Sequence, residues 1–141
     1  MEKTFQEAMD FRHACKIFDE TKKISSDDLN FILEAGRKSP SSFGQEPWKF
    51  LVITNPELKV KIRPFCWDQV QITTCSHLVV IVAAIESTKP TSSEVLRKFN
   101  RRGLPKDMVD AYIKKYSSHL EDTFSSDEKT LAWTSKQTYI A

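Results

Sequence analysis

The apolar positions between residues 25 and 40 follow a helical pattern. Their spacing is i, i+3, i+4, i+7, which puts them on one face of a helix: Leu29, Ile32, Leu33 and Gly36. Ser25 followed three residues later by Asp28 resembles a capping box, so the helix is predicted to begin at Ser25 or Ser26. Pro40 ends it, because the residue before a proline is pushed out of the α region.

Two other stretches are continuous apolar runs. They read "WKFLVIT", from Trp48, and "HLVVIVAAI", from His77, and both are rich in β-branched or aromatic side chains. Apolar residues on both faces favour interior strands that helices cover on each side. A first helix is predicted at about Thr4 to Met9, and a short one begins after Asn55, where a proline follows the capping residue.

After Pro90 the pattern indicates three helices that start at serine or proline. Their sequences are "TSSEVLRKFNRRG", "PKDMVDAYIKKYSSHL" and "SSDEKTLAWTSKQTYIA". The second carries a stripe of large side chains spaced four apart: Met108, Tyr112, Tyr116 and Leu120. Such a stripe is typical of core packing or of contact with a partner helix.

Two predicted strands are too few for a stable sheet, since three or more are normally needed. The last predicted helix also runs up to Ala141 without a glycine or another capping signal. We therefore expect residues 1–141 to form a single domain whose C-terminal part is missing, with further strands on the C-terminal side.

Composition and charge indicate which kinds of binding partner the protein has. Of the 141 residues, 40% are hydrophobic and 28% charged, and the net charge is only +2. This length allows one domain with its own core, and the charge is too weak to indicate a nucleic-acid or membrane partner. The longest apolar run, Leu78 to Ile85, is far too short to cross a bilayer.

The cysteines and the N-terminal sequence indicate a cytoplasmic protein. Cys15, Cys66 and Cys75 are odd in number, widely spaced and without a CxxC pattern, which suits free thiols in a reducing compartment. The N-terminal "MEKTFQEAMDF" is charged and has no apolar core of a signal peptide.

The segment "FRHACKIF" is a candidate anion site. Arg12 and Lys16 lie four residues apart, on either side of His13, with apolar neighbours around them. A guanidinium fork and an ammonium held in this way can bind a phosphate. The alternative is a helix that ends in solvated basic residues. No histidine, including His77 and His119, has a second ligand at metal spacing, so no zinc or iron site is expected.

The loop "SPSSFGQEP" is a second candidate binding element. Ser41, Ser42 and Gly44 are small enough for a ligand to approach the backbone, and Gln45 offers the donors and the acceptor that a heterocyclic ring edge requires. Glu46 precedes a proline, which predicts an extended backbone leading into the strand. The alternative is a plain connector between helix and strand.

A third polar segment, "WDQVQITTCSH", places Asp68, Gln69 and Gln71 just before the second strand. Their side chains could reach the polar edge of a ligand, or they could form the solvated face of a helix. The pattern alone leaves both interpretations open.

Four segments together resemble the nitroreductase family: "RHACK" from Arg12, "SPSSFGQEPWKF", "WDQVQITTCSHLVV" and "WTSKQTYIA". Members of this family bind FMN and take hydride from NAD(P)H. The resemblance implies an α+β nitroreductase-like fold, with a central mixed β-sheet flanked by helices in an intertwined homodimer. It covers the whole chain, which corresponds to about the first two-thirds of a typical member.

The resemblance also implies roles for individual residues. Arg12 would meet the FMN phosphate, Lys16 would lie by the flavin ring, and the main chain around His13 and Ala14 would contribute. The other subunit of the dimer would supply residues of the loop: Pro40, Ser41, Ser42, Phe43 and Gln45. The loop would thus embrace a flavin across the dimer interface.

Asp68 and Gln71 stand where the family makes polar contacts to the flavin ring and its ribityl chain. The flavin would do the chemistry, so no catalytic side chain is expected. The implied reaction follows a ping-pong order, with NAD(P)H as the donor and a nitroaromatic, a quinone or a similar small molecule as the acceptor.

Two other functions remain open from the sequence. One is a truncated, cofactor-poor and inactive remnant of a nitroreductase. The other is a helical binding module that uses the basic stretch "LRKFNRRG", from Leu96, as a patch for nucleic acid. That stretch lacks the interleaved aromatic residues of a single-strand binder.

Overall fold

The fold consists of short helices and two strands, and the computed structural model describes it over residues 3–141. The helices are α1 (Phe5–Phe11), α2 (Ser26–Arg37), α3 (Pro56–Ile62), α4 (Gln71–Thr74), α5 (Ser93–Asn100), α6 (Lys106–His119) and α7 (Asp127–Thr138). The strands are β1 (Trp48–Ile53) and β2 (Leu78–Ala83). Within the described range, no helix has both the length and the apolar character that crossing a membrane requires.

Two units can be distinguished in the chain. Unit 1 contains the described residues up to Ile24 together with Val52–Leu78, and unit 2 contains Ser25–Leu51 together with Val79–Ala141. The expected single domain over residues 1–141 therefore stays a prediction, and its first two residues lie outside the described range.

Helices α2 and α3 begin at the capping residues that the sequence predicts. The Ser25 hydroxyl accepts from the Asp28 amide at 3.0 Å, and α2 begins at Ser26 as predicted. Asn55 caps α3 in the same way by accepting from the Leu58 amide at 2.9 Å. Because each signal needs only three or four neighbouring residues, sequence alone is enough to find it.

Unit 1 is built from α1, α3 and α4. The ammonium of Lys59 is buried and donates to the carbonyl oxygens of Cys75 and Ser76, at 2.7 and 3.0 Å, which ties α3 to the chain leaving α4. By contrast, α1 buries none of its residues and exposes Phe5, a large apolar side chain.

The core of unit 2 lies between α5 and α6. Its buried apolar members are Val95, Phe99, Val109, Tyr116 and Leu120. Tyr116 is at the centre, where its ring meets Phe124 at 5.3 Å and its hydroxyl donates to the Thr88 carbonyl at 2.5 Å. The predicted stripe on α6 is confirmed for Tyr116 and Leu120. Its first two members are exposed, because the buried face of the helix passes through Val109 instead.

The two strands pair in an antiparallel sheet. Ala84, just after β2, donates its amide to the carbonyl of Pro47, just before β1, at 2.9 Å. Five apolar side chains of the sheet remain 36–48% exposed: Leu51, Val52, Val79, Ile81 and Val82. The described helices therefore cover only part of the two faces.

Helix α2 approaches the sheet at Gly36, where a glycine is required. A Cβ atom at this position would lie 3.0 Å from Cζ of the Phe50 ring. The predicted inner face of α2 is thus confirmed at Gly36, since the missing side chain lets the helix and the strand come together.

Candidate functional site

The chain leaving α1 carries the predicted phosphate-binding residues on unit 1. Arg12, His13, Ala14 and Lys16 are all exposed, and the backbone becomes extended at Arg12. Neither cation forms a salt bridge with another residue in the range 3–141. Both charges are therefore available to an anion, and a guanidinium with an ammonium is the donor set that a phosphate needs.

Asp68 lies in a tight turn with an unusual backbone. Trp67 and Asp68 both have positive φ angles, 53° and 55°, which non-glycine residues rarely adopt. The Asp68 carboxylate lies 2.8 Å from Nε of Arg63, so its charge is already paired. Gln71 follows as the first residue of α4 and is half-buried.

Hydrogen bonds connect the chain that follows Lys16 with the end of α4. The Phe18 amide donates to the Thr74 hydroxyl at 3.2 Å, and the Ile24 amide donates to the Ser76 hydroxyl at 3.1 Å. Unit 1 thus joins the segment containing the predicted phosphate ligands to the helix that begins at Gln71.

The loop between α2 and β1 belongs to unit 2 and has a strained backbone. Phe43, Gly44 and Glu46 have φ angles of 55°, 62° and 44°. The predicted extended backbone at Glu46 is therefore wrong. Instead, the Glu46 amide donates to the Ser41 hydroxyl at 2.8 Å, and Arg101 donates to the Glu46 carboxylate. These contacts override the local preference of a residue that precedes proline.

Other loop residues are fixed by their neighbours in unit 2. The Ser42 amide donates to Oε1 of Gln137 at 2.8 Å, and the Phe43 ring packs edge-on against Tyr116 with centroids 5.2 Å apart. Pro40 is exposed. The loop is thus joined to α7 and to the core of unit 2.

Gln45 has a buried and unpaired amide. The residue is 0% exposed, and neither Nε2 nor Oε1 has a hydrogen-bond partner among residues 3–141. A buried donor and acceptor without partners cost free energy and point to a missing water or ligand group. Among the buried side chains of residues 3–141, Gln45 is therefore the one whose bonding capacity is unused.

Three cations near the C-terminal end of α5 hold this loop, and we call them the cation clamp: Lys98, Arg101 and Arg102. Lys98 donates to the Gln45 carbonyl at 2.5 Å, and Arg102 donates to the Phe43 carbonyl at 2.6 Å. Arg101 binds the Glu46 carboxylate with both terminal nitrogens, at 3.0 and 2.6 Å.

The clamp changes the interpretation of the basic stretch "LRKFNRRG". Lys98, Arg101 and Arg102 are engaged by the loop, and the fourth cation, Arg97, pairs with Glu94 at 2.6 Å. A nucleic-acid patch needs cations that are free to neutralise phosphates, and these four have protein partners already, so the contacts favour a structural role for this stretch. The sequence held only a weak signal of the clamp, because its partners lie more than 50 positions away.

The clamp also shifts the ionisation of its members. Hydrogen bonding to Arg101 lowers the pKa of Glu46, since it favours the charged carboxylate. Burial lowers the pKa of Lys98, because removal from water disfavours the ammonium. The loop is therefore held by charged groups that lie partly out of solvent.

A groove of about 800 Å³ lies beside the clamp in unit 2. Its apolar lining residues are Leu33, Trp48, Phe50, Leu51 and Ala84, and its charged ones are Glu34, Arg37, Glu46, Lys49, Glu94, Arg97 and Lys98. This volume is within the range of small-molecule pockets, roughly 300–1,000 Å³.

Comparison with solved structures shows which fold the chain has. The fold is similar to that of a putative nitroreductase from Exiguobacterium sibiricum solved in complex with FMN, with a TM-score of 0.78. The match has 22% sequence identity and covers 99% of this chain and 66% of the other. The predicted α+β nitroreductase-like fold is therefore confirmed.

The sequence identifies the family directly. Residues 9–141 match the model of the Nitroreductase family, and the chain belongs to that family. It is 40% identical to the Putative NAD(P)H nitroreductase YfkO of Bacillus subtilis, over 96% of this chain and 64% of that protein. It is 43% identical to a Putative NAD(P)H nitroreductase of Haemophilus influenzae, over 92% and 60%. The chain thus spans less than two-thirds of the length of these relatives.

Proposed function

We propose that this chain is an FMN-dependent oxidoreductase that takes hydride from NAD(P)H. The acceptor would be a nitroaromatic, a quinone or a similar small molecule, and the two substrates would react in ping-pong order. The observation that carries the proposal is the pair of exposed cations, Arg12 and Lys16, which no described residue neutralises. The names of the relatives and the FMN bound to the E. sibiricum protein support it.

The residues present fit an FMN group chemically. Arg12 would hold the phosphate, and the unpaired amide of Gln45 would give the ring edge a donor and an acceptor. Polar contacts from Asp68 and Gln71 would complete the set. When bound, the flavin supplies the chemistry of hydride transfer, which no protein side chain can provide.

The chain's own residues then have binding and electrostatic roles. Lys16 would stabilise the negative charge that develops on the ring, because a cation aimed at developing charge lowers the barrier. Ser41 and Ser42, through their short side chains, would leave the backbone accessible. We assign no nucleophile and no general acid to the protein itself.

We also propose that the protein acts as a homodimer. Large apolar side chains are exposed on both units, among them Phe5, Phe31, Phe65, Trp67 and Tyr139. Exposed apolar surface of this kind marks interaction sites on soluble proteins. A second copy would cover it and would place the loop of one subunit against the flavin of the other.

The proposed location is the cytoplasm. Cys15, Cys66 and Cys75 are half-buried, and each is a free thiol. Free thiols persist in a reducing compartment. Fractionation of cells that express the tagged chain tests this, and recovery from the periplasm would contradict it.

The decisive experiment is a titration of the purified chain with FMN, followed by flavin fluorescence. We expect saturable binding, and we expect Arg12→Ala to weaken it by about 1.5–3 kcal/mol, as for the loss of a charge-assisted hydrogen bond. Lys114→Ala is the matched control, since Lys114 is an exposed cation on α6, in unit 2.

Two outcomes would contradict the proposal. An unchanged dissociation constant in Arg12→Ala would remove the phosphate assignment. The complete absence of FMN binding and of NAD(P)H oxidation in the unaltered chain would favour the alternative of an inactive, cofactor-poor remnant.

A further inference from the structure

The loop formed by residues 40–46 has a conformation that it would not keep by itself. Phe43 and Glu46 are non-glycine residues in the left-handed region of backbone space, with φ angles of 55° and 44°. Such conformations persist only where surrounding contacts over-determine them. In this loop those contacts come mainly from the cation clamp.

The cation clamp lies on and just after a helix that is packed into the core of unit 2. Helix α5 buries Val95 and Phe99 in the core of unit 2, both at most 1% exposed, and Lys98 lies between them in sequence. Arg102 is also fixed from a second side, because its guanidinium carbon lies 5.0 Å from the centroid of the Phe99 ring. The positions of Lys98 and Arg102 are therefore supported by packing as well as by the loop.

The fit between loop and clamp is close at Gly44. A Cβ atom at this position would lie 2.9 Å from Nη2 of Arg102, and the φ angle of 62° disfavours any side chain. The same guanidinium donates to the Phe43 carbonyl at 2.6 Å. Glycine is thus required for the backbone conformation, and a larger residue would also displace the end of the Arg102 side chain.

We propose that Lys98, Arg101 and Arg102 are positioning residues, which hold the loop 40–46 in the conformation that binds the flavin without touching the flavin themselves. This proposal rests on the proposed function. Its physical basis is preorganisation: a loop already held in its binding conformation loses less conformational entropy when the ligand binds. Releasing the clamp should therefore weaken FMN binding from a distance.

The chain offers a matched control on the same helix. Arg97 has the same charge and lies one turn before Arg101, but it pairs with Glu94 and does not contact the loop. Arg101→Gln and Arg97→Gln therefore remove the same charge, and only the first releases the loop. Glu46→Gln breaks the same ion pair from the loop side with an isosteric change, in case the arginine variant folds poorly.

The experiment measures two quantities on the full 141-residue chain. Hydrogen exchange in the absence of FMN reports on the loop amides of residues 41–46, and an FMN titration gives the dissociation constant. We expect faster loop exchange and a dissociation constant raised about tenfold in Arg101→Gln and in Glu46→Gln, the usual effect of losing a charge-assisted hydrogen bond. Arg97→Gln should change neither quantity by more than about twofold, as is normal for an exposed ion pair.

A conservative variant separates positioning from general stability. Arg101→Lys keeps the charge but not the planar fork, so it should recover part of the affinity. Two results would overturn the proposal: equal FMN affinity in all variants, or faster loop exchange with FMN affinity unchanged. If the unaltered chain binds no FMN, the proposed function fails. If the unaltered chain binds FMN and Arg101→Gln binds it equally well, the proposed function stands and the proposal about the clamp fails.

Discussion

At the scale of single residues, Tyr116 shows how one side chain can serve both packing and hydrogen bonding. It is 0% exposed, its ring meets Phe43 and Phe124, and its hydroxyl donates to the Thr88 carbonyl. Burial raises the pKa of the hydroxyl well above its ordinary value, because the phenolate would have to be desolvated. The hydroxyl therefore stays protonated and remains a donor at any physiological pH.

Replacing Tyr116 by phenylalanine tests this role. The ring contacts remain, but the buried Thr88 carbonyl loses its donor, so the free energy of unfolding should fall by about 1–3 kcal/mol. Urea unfolding followed by circular dichroism measures the change. Tyr112→Phe is the control, since Tyr112 is 38% exposed. A loss as large in the control would show that the hydrogen bond is not the cause.

Prediction from sequence at this scale rests on local signals. The four-residue spacing of Arg12 and Lys16 indicated a pair of cations for an anion. Both side chains are exposed and without a salt bridge to the described residues, and their role as phosphate ligands stays a prediction. The pairing of Arg101 with Glu46 had no such signal, because no periodicity connects positions 55 apart in the chain. Contacts between distant residues appear only once the fold is known.

At the scale of elements, the helices were the most predictable part of the fold. Their starts depend on capping residues such as Ser25 and Asn55, and their inner faces on apolar spacing. The loop 40–46 was less predictable. Its residue types indicated a binding role, but the left-handed backbone at Glu46 comes from tertiary contacts, which the local preference before a proline could not reveal.

The ion pair between α5 and the loop predicts a pH dependence. Glu46 faces Arg101, Lys98 and Arg37, and the hydrogen bond from Arg101 lowers its pKa in the folded chain below the ordinary value of 4.5. A lowered pKa means that the stabilisation is complete above about pH 4.5 and is lost as the pH falls through the folded value.

The comparison of the unaltered chain with Glu46→Gln measures this effect. At pH 7 the variant should be less stable by about 0.5–1 kcal/mol, as for a partly exposed ion pair. The difference should shrink as the pH falls below about 4.5, because the carboxylate of the unaltered chain becomes protonated. Thermal unfolding across this range gives both curves. A difference that does not change with pH would rule out the ion pair as its origin.

At the scale of the whole molecule, exposed apolar surface predicts self-association. Helix α1 buries no residue and carries Phe5, Met9 and Phe11, each more than half exposed. Sedimentation at micromolar concentration should therefore give the mass of a dimer. Phe5→Ser combined with Met9→Ser should shift the mass toward the monomer with little change in the fold, since neither side chain is part of a core. A well-folded monomer with bound FMN would contradict the proposed homodimer.

The family and the share of a typical member that the chain spans could be identified from the sequence, but the elements that cover the sheet could not. Four short segments were enough to indicate a nitroreductase, and the match over residues 9–141 confirms the family. Apolar residues on both faces of β1 and β2 also predicted helices on each side of the sheet, yet Leu51 and Ile81 remain partly exposed. The hydrophobic pattern indicates which faces of a strand are to be buried, but it does not indicate which element buries them.

The clamp has a consequence for variation at the loop. Lys98 and Arg102 bind main-chain carbonyl oxygens, at Gln45 and Phe43, so these two contacts do not depend on which side chains the loop carries. A library limited at position 45 to side chains no larger than the buried glutamine should therefore keep its loop geometry, whereas substitutions at Gly44 should not. The main-chain contacts that hold the loop are therefore separate from the side chains that would contact a ligand. During evolution the loop can acquire new ligand preferences without losing its shape.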